Sequence, residues 1–588
     1  MIKSICEIVR EAETNYQSGV THIGDYVDFS LKETVEKINA YSYSKHISGD
    51  KDSLDRDKPF FNIVSAAQNI WYRATDIDRK HIKFIPKTMS SVPLAFVANI
   101  LLQNWMDKNR FGQFLNSWGR GLARYGSSVL KFIEKKGELI AMVSPWNRII
   151  CDAVDFDATP RIEKFYKTPA QLRKMGYDND KVEQLIEALQ TRKNLSKRNK
   201  DVKNDFIELY EVHGELDGRL LEDDPKDTDN KKAKYVQQMH VVSFVLQDKE
   251  YKDFTLYKGK EEKDPYIITH LIEEDGRVLS IGAVEYLFEA QWMTNHTVKN
   301  MKDTLDLASK LIFQTSDPTY QGRNVLSAIE TGDINIHKIN EPLTQVNTSK
   351  GDIVALQNYG AMWRALGQDI TATPDAMRGI TPVSGTPLGT TELLTAQSNS
   401  LFEIMTENKG LHLEDILLKF IIPHLKKKLR NKDEILAILD DNGIEEIDAM
   451  YIPKEAVKRY NQKNKEAILS GQPAQTFNPQ MEQQAIKQEL VAMGNKRSFV
   501  TTELNWDEVF SDFQWDNIRV EVTNENSDKS AVMQVLNDLF KTIATNPAIL
   551  QDKNAQMIFN KILTELAVVS PLQFSNQTLA PSGGGVGV

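Results

Sequence analysis

Ala283-Val-Glu-Tyr-Leu-Phe-Glu-Ala-Gln-Trp-Met-Thr-Asn-His-Thr-Val-Lys-Asn-Met-Lys-Asp-Thr-Leu-Asp-Leu-Ala-Ser-Lys310 is the stretch whose reading decides the fold. Gly282 precedes it, neither Pro nor Gly interrupts it, and Asp317-Pro318 follows soon after, so one uninterrupted helix is expected. At 1.5 Å per residue such a helix would be roughly 40 Å long, more than a small domain needs. Val298, Met301, Leu305 and Ala308 recur at helical spacing, whereas Gln291 to Thr297 are nearly all polar. The pattern predicts a narrow seam against neighbouring helices rather than a broad buried face.

The sequence on its C-terminal side is more telling. Leu311-Ile-Phe-Gln-Thr and Ile334-Asn-Ile-His-Lys-Ile read as short strands, punctuated by Gly322, Gly332 and Pro342. A second helix is expected from Asp352 to about Ile370, carrying Ile353, Leu356, Tyr359, Trp363 and Leu366. Val298, Met301, Leu305, Leu356 and Trp363 are the expected packing positions of the two helices. Thr371 to Thr390 holds three prolines and three glycines, too many breakers for a regular element. Helical pattern resumes at Thr391 with Leu394, Leu401 and Met405, and continues to the basic end Lys426-Lys-Lys-Leu-Arg430.

Elsewhere the chain alternates between helical and strand patterns. Residues 1–60 mix short helical patterns with the polar stretch 48–58 and are expected to form an arm of weak autonomous structure. Residues 61–73 predict a helix with Ile63, Ala67, Ile70 and Trp71 on its apolar face, and 81–86 a strand. One helix is expected after Pro93, through Phe96, Trp105, Leu115 and Leu122, stopping at Gly126. A hairpin over 128–143, a strand over 144–152, a helix from Thr168 to Gly176, and strands over 206–213, 241–246 and 266–272 follow. The charge-dense runs 190–205 and 222–234 read as solvated loops. Beyond Arg430 come a small helical element at 435–447, a partly helical Gln/Pro-rich segment at 472–488, a strand at 518–523, and two helices between 528 and 570. The overall pattern is α+β and mostly helical.

Composition excludes several classes. The 588 residues allow several structural units, and the net charge of −10 argues against a surface that wraps phosphates. Cys6 and Cys151 are the two cysteines, too few for a disulfide framework or a cysteine zinc cluster. The opening Met-Ile-Lys-Ser-Ile-Cys-Glu is too charged for a signal peptide, and no run approaches the ~18 apolar residues of a membrane span. A soluble protein, made in the cytoplasm, is expected. No phosphate-cradling lysine follows Gly385-Thr-Pro-Leu-Gly-Thr-Thr, and His-Glu-x-x-His and Gly-x-Ser-x-Gly are absent. No enzyme and no cofactor are expected. Asp152, Asp155 and Asp157 could bind a cation or form a polar turn; the calcium-loop spacing and its closing Glu are missing. Lys299, Lys302 and Lys310 could face DNA, or support an exposed helix through i,i+4 pairs with Asp303 and Asp306. The loop 371–390 is long and bracketed by helices, the profile of a functional loop. Arg378 is its sole basic residue, and Thr381, Ser384, Thr386 and Thr390 could contact phosphates weakly.

Two helices bracketing a small β module, then a breaker-rich loop and a long helix, resemble the order of the portal proteins of tailed double-stranded-DNA bacteriophages. Gly282-Ala-Val-Glu-Tyr-Leu-Phe-Glu-Ala-Gln291 with Asn295, Arg378-Gly-Ile-Thr-Pro, and Gly389-Thr-Thr-Glu-Leu-Leu-Thr-Ala-Gln397 carry the resemblance. It implies a wing over 61–281, stem helices over 282–310 and 351–370, and a clip over 311–350. It further implies a tunnel loop over 371–390, a long wing helix and outer wing over 391–527, crown helices over 528–570 and a disordered tail over 571–588. In that family twelve subunits form a ring at one capsid vertex, through which DNA is packaged and ejected. The resemblance implies partners in a second copy of the chain, double-stranded DNA bound without sequence preference, and the large terminase subunit. Scaffold, major capsid protein and head-completion or tail proteins follow as further partners, in the virion and with no membrane. A non-portal structural or scaffolding oligomer of a virion is the alternative, with the long helices serving subunit contacts only.

Overall fold

Local capping signals organise the head of the chain. The computed structural model describes residues 3–493 except 24–26, 54, 80–81, 87–91, 136, 196–205, 223–233, 248–249, 311, 317, 319–337, 343, 347–352, 374–387, 430–440 and 471–477, together with 518–522. Helix α1 (Ile5–Ser18) starts on a capping box, with Ser4 Oγ accepting from Glu7 N and Glu7 Oε2 accepting from Ser4 N. Its buried Ile5, Cys6 and Val9 pack with Ile150, Ile162, Tyr210, Val212 and Val242. After the small hairpin of β1 (Thr21–Ile23) and β2 (Val27–Phe29), helix α2 (Leu31–Ser42) buries Leu31, Val35, Ile38 and Tyr41 in the main core. The expectation of weak structure over 1–60 is therefore corrected: both helices are built into cores of the same chain. Their apolar faces are amphipathic enough to bury, which the polar 48–58 stretch obscured.

The main core gathers around α3 (Val64–Ala74), α4 (Val92–Lys108) and α5 (Phe111–Tyr125), with Trp71, Trp118, Phe111, Leu115 and Leu122 almost wholly inaccessible. The single helix expected between Pro93 and Gly126 is two. Asn109 Nδ2 donates to the Trp105 carbonyl, and Arg110 takes a left-handed conformation at φ 51°, so the backbone turns there without a Pro or Gly to announce it. Strand β3 (Ile82–Pro86) pairs antiparallel with β14 (Ile518–Val522), from far along the chain.

Two antiparallel sheets follow. β4 (Ser127–Lys135), β5 (Glu138–Ser144) and β11 (Tyr266–His270) form one, in the order β11-β4-β5. The other has the order β10-β9-β8-β7-β6, from β6 (Ile149–Ile150), β7 (Arg161–Lys167), β8 (Ile207–Asp217), β9 (Tyr235–Gln247) and β10 (Glu250–Lys260). The strand expected over 144–152 reduces to β6, because Pro145 leads into a 3₁₀ turn at Trp146–Arg148 whose indole Nε1 bonds the Ser127 carbonyl. Helix α6 (Pro169–Arg173) has the Thr168–Gln171 capping box. Helix α7 (Asn179–Leu195) runs into the stretch read as a loop, burying Val182, Leu185 and Ile186 against the larger sheet.

The decisive stretch is also interrupted. α8 (Ala283–Tyr286) ends at Leu287, and α9 (Phe288–Ala308) begins there. Two glycines set the entry to α8. Gly126, at φ 76°, caps α5, and a Cβ on Gly282 would stand 2.5 Å from both Arg124 O and Gly126 N, so the two backbones touch as no side chain would permit. The short ladder of β12 (Phe313–Gln314) with β13 (Thr344–Gln345) precedes α10 (Ile353–Ile370).

The long helix has three parts: α11 (Leu388–Ile416), a π-helical turn at Leu417–Ile421, and α12 (Ile422–Leu429). Pro423 has no N–H for the Lys419 carbonyl; Lys263 Nζ supplies the donor at 2.7 Å, and Phe420 stacks on Phe132 at 4.3 Å. Of the small element expected at 435–447, residues 441–447 open a longer helix, α13 (Asp441–Leu469), which pairs with α14 (Pro479–Met493) through Ile452, Ala456 and Ile486, and 435–440 lie outside the described residues. The described fold is a mixture of helices and antiparallel sheets, α+β. The expected crown helices and tail, and the expected strand residues 334–337, lie outside the described residues.

Candidate functional site

Helices α9 and α10 pack antiparallel, with Gly360 beside Thr297 and Gly367 beside Leu287 and Ala290. A Cβ on Gly367 would come within 2.9 Å of Leu287 Cδ2, so this glycine sets how closely the helices approach. The buried face of α9 is Ala290, Gln291, Thr294, Asn295 and Thr297. That reverses the expected seam: Val298 and Met301 are half-buried, and Leu305 is 49% exposed. Leu356 and Trp363 are half-buried, with Trp363 at the margin of the main core.

The polar face is buried because it binds backbone. Residues 61–63 run beside α9 outside any regular element, offering N–H and C=O groups with no strand to pair with. Gln291 Oε1 accepts from Ile63 N at 2.9 Å, and its Nε2 donates to Phe61 O at 2.7 Å. Asn295 Oδ1 accepts from Phe61 N at 3.0 Å and from Gln291 Nε2 at 3.0 Å. Two side chains one turn apart thus substitute for a β-ladder. Gln291 and Asn295 at i,i+4 were the available signal, but the sequence does not show the 61–63 backbone that they bind.

The C-terminus of α10 fixes where the breaker-rich loop begins. Thr373 N bonds Gln368 O and Ala372 N bonds Asp369 O, with Ala372 left-handed at φ 49°. This is a Schellman ending carrying Ala where Gly is usual. Trp71 Nε1 donates to Thr371 O at 2.9 Å, and Thr371 and Thr373 are buried with their hydroxyls 2.8 Å apart. Beside this ending lies a cleft of 420 Å³ between the 61–67 segment and α10, bordered by Asn62, Ala365, Arg364 and Gln368. The Arg364 guanidinium lies 5.5 Å from the Phe61 ring centre. On its open side α10 exposes Val354, Tyr359, Met362, Leu366 and Ile370.

The other sequence candidates scatter. Lys299 is half-buried, while Lys302 and Lys310 are exposed. Lys302 Nζ donates to the Asp57 carbonyl at 3.2 Å, and Asp303 pairs with Arg56 at 3.4 Å, so these mid-helix charges hold the 50–58 loop. Arg378, Thr381, Ser384 and Thr386 lie outside the described residues; Thr390 is in the first turn of α11. Asp152 Oδ1 accepts from Val154 N and Asp155 N, and Asp155 Oδ1 from Asp157 N, which makes the acidic run a succession of Asx turns. Among the described residues no group of three His, Cys, Asp or Glu is gathered as a metal would require, and no helix is long and apolar enough to cross a membrane.

One polar anchor carried no sequence signal. Lys409 of α11 is fully buried, its Nζ donating to Thr75 O at 2.7 Å and lying 5.4 Å from the Trp118 ring centre. Burial pushes its pKa down to about 8, against the pull of Asp76. Its neighbours Asn408 and His412 also hold backbone, Asn408 Nδ2 at Leu271 O and His412 Nε2 at His270 N. A polar triplet therefore fixes α11 to the core. No protein-family model and no curated protein matches the chain.

Proposed function

We propose that this chain is a portal subunit of the tailed-phage type, forming a ring of about twelve copies at one capsid vertex. DNA would pass through the ring during packaging and ejection. The large terminase would dock on it and supply the ATP chemistry, so the chain itself hydrolyses nothing. Scaffold and major capsid protein would meet it during assembly, and head-completion or tail proteins afterwards. In this reading α8 and α9 are the first stem helix, α10 the second, residues 311–350 the clip, and 371–390 the tunnel loop.

The observation that carries the reading is the α9–α10 pair. The two helices pack antiparallel, the short β12–β13 ladder lies between them in sequence, and α10 leaves apolar side chains exposed. Val354, Met362 and Ile370 are 63%, 55% and 47% exposed, apolar side chains that a subunit contact would bury. A neighbouring copy would cover them. The net charge of −10 suits a channel past which DNA slides without being gripped. The Arg and hydroxyl groups of 371–390 then offer weak contacts without sequence preference.

The double substitution Met362→Glu, Leu366→Glu tests the role of α10. Sedimentation velocity should show the large assembly of the unsubstituted chain replaced by folded monomer, with the far-ultraviolet circular dichroism unchanged. Assembly undiminished by two buried carboxylates would remove α10 from the subunit contact.

A further inference from the structure

The two sheets of the body meet across a buried ionic network that the proposed channel function does not use. Lys131 on β4 places Nζ 2.8 Å from Glu163 Oε2 on β7 and 2.8 Å from Glu211 Oε1 on β8. Glu163 and Glu211 are register partners on adjacent strands, as are Lys131 and Tyr266. Tyr266 OH donates to Glu163 Oε2 at 2.7 Å. His213, two residues along β8, closes the network: Nε2 lies 2.7 Å from Glu211 Oε1 and Nδ1 2.9 Å from Glu261 Oε2, just beyond β10. Lys131 and His213 are 4% and 1% exposed.

The geometry around His213 states its charge. Both ring nitrogens face carboxylate oxygens, which only accept when ionised, so both nitrogens must donate and the ring must be imidazolium. Loss of that proton turns one of the two contacts into opposed lone pairs, either at Glu211, which keeps Lys131, or at the half-buried Glu261. Other groups around the ring set the balance. Arg161, its register partner on β7, is engaged with Asp157 and Asp264. His240 on β9 is neutral, burial pushing it down to about 4 with Lys258 and His213 adding to the effect. The Tyr266 ring stands edge-on at 5.3 Å.

We propose that this network is a latch between the two sheets that is closed at mildly acidic pH and released as the medium turns alkaline, with the His213 proton as its trigger. Burial alone would push His213 down; the hydrogen bonds to Glu211 and Glu261 outweigh it and hold the imidazolium above the ordinary histidine range. Its contribution to stability is full below the unfolded histidine value and is lost as pH rises through the folded one. Glu211 sets the other boundary. Burial would raise it, but His213 and Lys131 bring it down to about 2, so its share is present above the ordinary carboxylate range and is lost only in strong acid. The latch is therefore strongest between about pH 4.5 and 6.5.

Hydrogen exchange by mass spectrometry on the full chain, between pH 6 and pH 9 and corrected for intrinsic exchange, reads the latch directly. Peptides covering β4, β7, β8 and β11 should lose protection severalfold on the alkaline side, while α3 and α5 change little. His213→Gln should abolish that pH dependence. Glu261→Gln, which removes one carboxylate and leaves an acceptor for neutral histidine, should move the loss of protection to lower pH. If His213→Gln does not fold, Glu261→Gln alone decides. Protection at the two sheets that is independent of pH, or unshifted in Glu261→Gln, would overturn the proposal.

Discussion

Ala372 holds a left-handed conformation that costs an L-residue roughly 1–2 kcal/mol, yet it ends α10 as a glycine would, with the Thr373 N to Gln368 O bond in place. Ala372→Gly relieves that strain and gives back part of it as unfolded-chain entropy, about 0.5–1 kcal/mol. The expected result is a gain of up to about 1 kcal/mol in urea unfolding, with no change in oligomeric state. A loss would show that the methyl group packs usefully. At this scale the sequence is least legible. Neither the left-handed turn at Arg110 nor the one at Ala372 carries Gly or Asn, and the burial of Lys409 depends on the Thr75 carbonyl and the Trp118 ring, both remote in the chain. Gly126 and Gly282, by contrast, announce themselves as helix punctuation, and the reason is their mutual close approach.

At the scale of elements, α9 shows why periodicity succeeds at finding a helix and fails at orienting it. Helical spacing located the helix, but the apolar residues nearer its end, Leu305 and Leu307, are about half exposed, while Gln291 and Asn295 are buried. A polar residue can be core when it satisfies backbone, here that of residues 61–63. Gln291→Leu keeps the volume and removes both hydrogen-bonding groups. It leaves Ile63 N and Phe61 O unpaired, two part-buried groups, which at 1–3 kcal/mol each should cost about 2–6 kcal/mol. Chemical denaturation checks this value, and a cost below 1 kcal/mol would mean that water enters to replace the side chain. The sheets were more legible than the helices' faces: β4, β5, β8, β9 and β11 follow alternation or apolar runs. β10, with four exposed residues at its start, offers no such run, and it forms because β9 provides a full-length partner.

On the scale of the whole molecule, the described residues form antiparallel sheets and helices, with α9 and α10 packed against each other. The body's cores are internal to the chain: α1 and α2, expected as an arm, are part of them. Among the described residues α10 exposes Val354, Tyr359, Met362, Leu366 and Ile370. Arg378, Thr381, Ser384 and Thr386, the proposed channel contacts, lie outside the described residues. The most direct measurement is negative-stain imaging of the purified full chain combined with native mass spectrometry. The portal reading expects rings with a central hole and a mass of about twelve copies. A compact monomer or dimer, or a closed assembly without a pore, across a range of salt concentrations would contradict it.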